Sequence, residues 1–430
     1  MQGSVWGSLC YAVLMDMLGK LVYSQPDLLY LYKGIVEVPT LQMVDDIIAV
    51  QKCSPQSLHL NTVVNSFMDL EKLTLSKNKC HKLHTGKPNR NCKQLKVHDN
   101  VMHEASTETY LGDKIDISGK NNVNIAARVG KGFGRVKTIL AMLKEAPLGW
   151  TKVKAGLKLR KAMLINGVMF NSESWHGVTK EDVRNLERVD EALLSGLVTG
   201  HAALPLPALY LELGVEPLRY IWACRRIMYL HTLLNRSNKE ITKKVLNAQI
   251  VQPSKGDFCE LVNRDIQMIK LEKTYDEIAQ MKKTSLKILV KSKIQVAAFN
   301  YLMMEKQPKT KMDKIKYSKL QISPYLMTPL FKHKEAVQLF ALRTRTVRGI
   351  QSDFGEMYVD KHCPLQCGDI DTVENILKCN KLQNHIKCSQ KDIKYDDIFS
   401  SDISKQKAAT LLYMDLMEQR EQLMEARQLG

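Results

Sequence analysis

No apolar run in this chain approaches the roughly 20 residues that a membrane-crossing helix needs. The apolar N-terminus is interrupted by Asp16 and follows no basic stretch, so it reads as neither a signal peptide nor an anchor. No internal repeat and no extended low-complexity segment is present, which argues against a solenoid array or a largely disordered chain. Nothing marks a secreted disulfide framework. The ten Cys are scattered except for four between Cys363 and Cys388, which favours reduced thiols and one metal site. Acidic residues are in deficit, 45 against 63 Lys and Arg, and the chain carries a net charge of +18.

What is present has globular proportions. Hydrophobic residues make up 44% and charged residues 25% of 430, enough for two or three domains and a sizeable core. The basic excess is concentrated. Residues 120–161 hold eleven Lys and Arg against one Glu, and residues 281–319 hold eleven Lys against two acids. Those two stretches account for the whole net charge, which points to contact with a polyanion, nucleic acid above all. A solvated basic face is the plainer alternative.

Residues 8–22 have helical spacing, with Leu9, Val13, Leu14, Met17, Leu18 and Leu21 on one stripe. Between 35 and 50, short β-branched and apolar runs predict buried strands with Asp45-Asp46 at a hairpin turn. Residues 60–73 return to helical spacing, and Cys80 to His84 form a further candidate strand. From about residue 121 the pattern is almost wholly helical. Thr179 with Asp182 predicts a capping box opening a helix to about Ser195, and 217–235 reads as one strong helix. Pro253 and Gly256 mark a candidate linker at 250–257, and Gln307-Pro308 breaks the lysine-rich region. The fold class expected is α/β followed by mostly α.

An Asp-Asp pair in a turn is ordinary turn chemistry. Held by two buried strands, it can also present carboxylates rigidly to metal ions, as two-metal phosphoryl transfer requires. Its surroundings favour the second reading. Gln2-Gly3-Ser4 precedes a helix, Asp45-Asp46 follows, then a helix, then Leu75 to Cys80, then Tyr110-Leu111-Gly112. In that order the sequence resembles the reverse transcriptases of non-LTR, LINE-like retrotransposons, from their motif B through C and D to E. Ala208 to Gly214 with Pro217-Leu218-Arg219 is similar to a segment that follows the palm in such elements. The resemblance covers most of the chain and is most specific to about residue 112.

It implies a partial right-hand palm over 1–119 and a helical, thumb-like domain over 120–249. A basic helical region over 258–350 and a Cys-rich helical region over 351–430 would follow. Implied partners are an RNA template, a DNA primer and deoxynucleoside triphosphates, with no membrane, and an intracellular, nuclear destination. Asp45 would bind magnesium, Asp46 would be its acidic neighbour, and Lys79, or else Lys77, would lie near the leaving phosphate. Gln2, Gly3 and Ser4 would flank the incoming nucleotide and template, and Tyr110, Leu111 and Gly112 would position the primer end. Lys131, Arg135, Lys137, Lys158, Arg160 and Lys161 would follow the nucleic-acid backbone.

Two departures stand out. Met43 occupies the place of the family's aromatic residue before the aspartates. The motif A aspartate would lie upstream of Gln2, and neither Asp16 nor Asp27 replaces it, so the chain alone is expected to lack half of the magnesium site and to be inactive. The alternative function is a non-catalytic nucleic-acid-binding relic.

Cys363, Cys367, Cys379, His385 and Cys388 have spacings that suit a tetrahedral zinc. The stretch resembles the zinc knuckle of the same elements, with three residues between the first pair instead of two and Asn375 where a His is expected. Zinc is therefore expected on Cys363, Cys367, Cys379 and His385, with Cys388 or His362 as the alternative fourth ligand. Arg343, Arg345 and Arg348 would lie nearby for phosphate contact. The alternative is a helical end domain with free thiols. Gly130-Lys131-Gly132-Phe133-Gly134 follows a helical pattern and not a strand, so it reads as a kinked basic helix and not as a cofactor loop. Asp392, Asp396 and Asp397 lack the context of a nuclease.

Overall fold

The computed structural model describes the chain apart from residues 1–4, 39, 44–45, 52–53, 77–78, 85–94, 98–99, 147, 199–203, 310–311, 348–349, 351–361, 387–389 and 429–430. Small strands near the N-terminus precede a mainly helical body.

The N-terminal part begins with α1 (Val5–Tyr23), β1 (Tyr30–Tyr32), β2 (Val36–Val38), β3 (Leu41–Met43), β4 (Asp46–Ile48) and α2 (Ser54–Leu70). It continues with β5 (His81–Lys82), β6 (Lys96–Val97), β7 (Asn100–Val101), β8 (His103–Glu104), β9 (Thr107–Tyr110) and β10 (Asp113–Asp116). Each strand is two to four residues long, too short to build an extended face, and the described strands pair only two by two. Four pairs are antiparallel, and β5 with β8 is parallel.

α1 and α2 bury a small core of Met15, Leu18 and Val22 against Leu60, Phe67 and Met68, with Ile47 packed beside it. The stripe expected on α1 is only partly the buried one, with Leu18 in the core and Leu14 half-buried. Val13, Met17 and Leu21 are 56%, 48% and 39% exposed, whereas Met15, Leu18 and Val22 are buried. The exposed Asp16–Lys20 pair, 2.6 Å apart, shares the face of Val13 and Met17 and marks it as the solvent side.

The helical body comprises α3 (Asn122–Glu145), α4 (Lys152–Leu159), a π-helical turn (Arg160–Ile165), α5 (Asn166–Val168), α6 (Lys180–Val198), α7 (Leu206–Leu213) and α8 (Leu218–Leu234). Then come α9 (Ile241–Val251), α10 (Phe258–Met268), α11 (Tyr275–Gln280), α12 (Lys283–Lys306), α13 (His333–Thr344), α14 (Val373–Lys378) and α15 (Ile403–Gln428). Local chemistry sets several starts. The Asp182 N–H donates to Thr179 Oγ1 at 3.1 Å and the Thr179 N–H returns to Asp182 Oδ2 at 2.9 Å, the reciprocal box predicted before α6. Thr274 and Glu277 form the same device at α11, and Asp257 caps α10.

α3 crosses α6 closely because Gly132 sits at the contact. A Cβ there would stand 2.7 Å from Val189 Cγ1 and 2.9 Å from Val168 Cγ2. Gly132 thus lies inside one unbroken helix, as the helical reading of the Gly-Lys-Gly-Phe-Gly run anticipated. Gly214 has φ +62° at the end of α7, and the chain at Gln321 and Ile322 crosses where its Cβ would be.

One core runs from Ile125 through α6 and α7 to Phe340 and on to Leu416, so the C-terminal residues pack on the same interior as α3. A second joins α8 with α9, α10, α11 and α12, from Tyr220 to Ala298. The stretch around Pro253 therefore turns within one core and does not link two bodies. The β1–β2 pair packs through Val36 and Val38 on Ala248, and the Lys33 ammonium donates to Ser254 Oγ at 2.8 Å and pairs with Asp257. Glu212, fully buried, accepts from Tyr317 Oη at 2.8 Å, Arg343 Nε at 3.0 Å and Ser323 Oγ, and so ties α7 to α13. Among the described residues no helix is long and apolar enough to cross a membrane.

Candidate metal centre and nucleic-acid face

The chain around Cys363 turns back on itself. The Cys363 N–H donates to the Asp369 carbonyl at 2.8 Å, and the Gln366 N–H donates to the Cys363 carbonyl at 2.8 Å. Gln366 and Gly368 take φ of 56° and 95°, and His362 bridges Ile370. This turn brings Cys363 and Cys367 side by side. Helix α14, capped by Thr372, carries Cys379 to the same point from its C-terminal end. The three sulfurs lie within 4.8 Å of one another. Tetrahedral zinc with Zn–S of about 2.3 Å needs sulfurs about 3.8 Å apart, so the triad is within a small contraction of that geometry.

Backbone N–H groups face the sulfurs, those of Leu365 and Cys367 at Cys363, Asp369 at Cys367, and Lys381 at Cys379. Burial pushes the Cys363 thiol up to about 11 and raises Cys379. Burial also opposes the Cys367 thiolate, but the Asp369 N–H and the Asn375 amide outweigh it, and Cys367 falls below the usual thiol value. Three converging sulfurs with donors aimed at them form a site that could hold a metal such as zinc.

The ligand set departs from expectation at one point. His385 is exposed in a short turn and is not among the converging ligand atoms. Cys388 lies outside the described residues. Asn375, on α14 four residues before Cys379, donates its Nδ2 to Cys367 Sγ at 3.6 Å.

The basic face is more selective than the sequence implied. Lys131 and Lys137 are exposed on α3, opposite its buried stripe of Ile125, Gly132, Val136, Ile139 and Leu143. Lys158 and Lys161 are exposed as well, whereas Arg135 is half-buried with its guanidinium against Gly167. Arg160 corrects the sequence reading. It is 5% exposed, its Nε and Nη2 fork onto Asp190 at 2.6 and 2.7 Å, and Nη2 also donates to the Glu216 carbonyl at 3.0 Å. Burial opposes its charge, but the Asp190 carboxylate more than offsets that. Arg343 is likewise committed inward, to Glu212 and the Ile398 carbonyl, and does not face phosphate. Arg345 is paired with Asp313 at 3.6 Å, and Arg348 lies outside the described residues.

Two hairpins carry the remaining expected residues. β3 pairs with β4 in the register Leu41↔Ile48, Gln42↔Ile47 and Met43↔Asp46, so Asp46 is a strand residue opposite Met43 and not the turn residue that the sequence implied. Asp45 itself and Gln2, Gly3 and Ser4 lie outside the described residues. Lys79 is exposed. β9 pairs with β10 in the register Tyr110↔Asp113, and Leu111 and Gly112 take φ of 48° and 84°, a mirror-image two-residue turn.

Sequence reasoning missed what holds that second turn. Asp113 accepts from Arg128 Nη2 at 2.8 Å, Asn124 Nδ2 at 2.9 Å and Asn171 Nδ2 at 2.9 Å. Arg128 also donates to the Gly112 carbonyl at 2.8 Å and lies over the Phe170 ring. The tip is thereby fixed to α3. An Asp directly after a turn was the available signal, but its partners are 11 to 58 residues away.

Among the described residues no group of carboxylates converges as a magnesium site would require. Comparison of the chain with family models, with curated proteins and with solved structures returns no match.

Proposed function

We propose that this chain serves RNA-templated DNA synthesis, as part of a reverse transcriptase of the non-LTR retrotransposon kind, with two-metal nucleotidyl transfer as the chemistry of the complete enzyme. The observation that carries the reading is the pair of short hairpins in chain order. One pairs β3 with β4, with Asp46 opposite Met43, and the other has Leu111-Gly112 in its loop and is fixed to α3. Magnesium, when bound, would stabilise charge on the transferring phosphate. The chain's own parts hold and orient nucleic acid. The Leu111-Gly112 turn, fixed through Asp113, supports the primer end, and α3 with the following helices offers Lys131, Lys137, Lys158 and Lys161 to phosphates. On the same outer side of α3, nothing stands within 4 Å of where a Cβ would be at Gly130 and Gly134, so a backbone can approach closely. Zinc at the Cys363, Cys367 and Cys379 thiols would fasten the C-terminal turn to α14.

The second reading, a non-catalytic nucleic-acid-binding protein, is favoured by the basic face alone. Primer extension on an RNA template with magnesium separates the two. By itself the chain binds the template–primer and extends nothing, because one aspartate-bearing hairpin supplies half of a two-metal site. Supplied in trans with a segment bearing a second carboxylate strand, it gains synthesis that Asp45→Ala removes. Synthesis indifferent to Asp45→Ala overturns the polymerase assignment, and failure to bind template–primer at all removes both readings.

A further inference from the structure

We propose that Phe170 is a stacking platform for one unpaired nucleobase of the bound strand, set at the edge of the Leu111-Gly112 turn. This rests on the reading that the turn lies beside a primer end.

Phe170 follows α5 and is 45% exposed, whereas Trp175, Phe331 and Phe340 are fully buried. The backbone on either side of it is held. The Met169 carbonyl accepts from Arg225 Nη1, and Asn171, with φ of 55°, donates its Nδ2 to Asp113 Oδ2 at 2.9 Å. The ring is therefore presented to solvent from a fixed position, which lowers the ordering cost for a ligand that stacks on it.

One face of the ring is taken. The Arg128 guanidinium carbon lies 5.1 Å from the ring centroid, and the same guanidinium donates to the Gly112 carbonyl and to Asp113. A Cβ at Gly112 would stand 3.7 Å from Phe170 Cε1, so the turn lies against one edge. The exposed surface is the opposite face and the far edge. A flat apolar face backed by a guanidinium suits a nucleobase, because every base has a π-face whatever the sequence. The charge around it suits the same occupant. Lys114, next after Asp113, and Lys131, one helical turn beyond Arg128, are exposed. The acids close by in sequence, Asp113 and Glu173, act on Arg128 and Arg225. The two lysines are thereby left to the phosphodiester on either side of a stacked base.

The probe is a template–primer duplex whose primer ends in one unpaired deoxyadenosine, compared with the same duplex carrying an abasic nucleotide at that place. Affinity for the full chain is read by fluorescence anisotropy. The wild type binds the deoxyadenosine form about tenfold more tightly, the size expected of one base–aromatic stack. Phe170→Ala loses that preference and binds both forms as the wild type binds the abasic one. Phe170→Trp keeps the preference. Phe170→Leu retains apolar packing without a ring and behaves like the Ala variant, which keeps the test decisive if Phe170→Ala does not fold. A wild type indifferent to the base, or a Phe170→Leu protein that still prefers it, overturns the platform while leaving the primer-end reading intact. Equal weakening toward both duplexes in Phe170→Ala, with the preference retained, marks a structural role and overturns the platform as well. No binding of either duplex overturns both.

Discussion

Arg160 provides the sharpest separation between holding the fold and holding nucleic acid. In sequence it sits between Lys158 and Lys161 and looks like one more basic contact. In the structure its guanidinium is buried against Asp190, which is itself fully buried, with two hydrogen bonds of 2.6 and 2.7 Å and a third to the Glu216 carbonyl. Arg160→Met keeps the volume and removes the charge. Asp190 then stays in the interior as an uncompensated carboxylate, and breaking one side of such a pair costs about 3–5 kcal/mol. The loss is read by urea denaturation at neutral pH as a lowered midpoint. The double variant Arg160→Met, Asp190→Leu removes the stranded charge and recovers most of the loss, since a buried pair contributes little over an apolar replacement. Nucleic-acid affinity of folded Arg160→Met protein is unchanged at matched salt. A stability change under about 1 kcal/mol together with weakened binding would refute the inward assignment.

Further outcomes follow from single contacts. Gly134→Ala on the open side of α3 stabilises by about 1 kcal/mol through helix propensity. Gly132→Ala gains the same propensity but drives a methyl into Val189 and Val168 and destabilises by about 1–2 kcal/mol net, so opposite shifts in melting temperature are expected and equal shifts would count against the α3–α6 contact. Thr179→Ala removes the hydroxyl half of the capping box, leaves the backbone N–H bond to Asp182, and destabilises by about 1 kcal/mol, read as a lowered denaturation midpoint. Burial raises the Glu191 carboxyl despite its pairing with Arg184. A folded-state value above the unfolded one means the folded chain binds more protons as pH falls. The wild type should therefore gain stability relative to Glu191→Gln on going from pH 7 down through the raised value, and a relative loss would reverse the sign. Chelator treatment of zinc-loaded protein lowers the melting temperature of the wild type and leaves Cys363→Ser unaffected.

The sequence disclosed elements whose cause is local. The Thr179–Asp182 box and the 3–4 spacing of Leu186, Val189, Leu193 and Leu197 mark α6 without reference to anything distant. The spacing of Cys363, Cys367 and Cys379 was legible for the same reason. What depended on tertiary register was not. On α1 the Asp16–Lys20 pair marks the solvent side, but which apolar residues enter the core, Met15, Leu18 and Val22, depends on docking against α2. Arg160 differs from Lys158 and Lys161 only because Asp190, thirty residues later, faces it from α6. His385 had a ligand's spacing but is exposed and is not among the converging ligand atoms. Asn375 was noticed as a missing His, whereas its amide contact with Cys367 required α14 to be in place.

The central claim is that the two hairpins flank the growing end of a primer. A template–primer carrying a photoreactive group on the primer's terminal nucleotide tests this directly, with attachment sites read by mass spectrometry after digestion of the full chain. The account predicts attachment concentrated in residues 107–116 and 41–48, lost from the first segment when Asp113→Ala releases the Leu111-Gly112 turn. Attachment confined to lysines of α3 and α12, with neither hairpin marked, would contradict it.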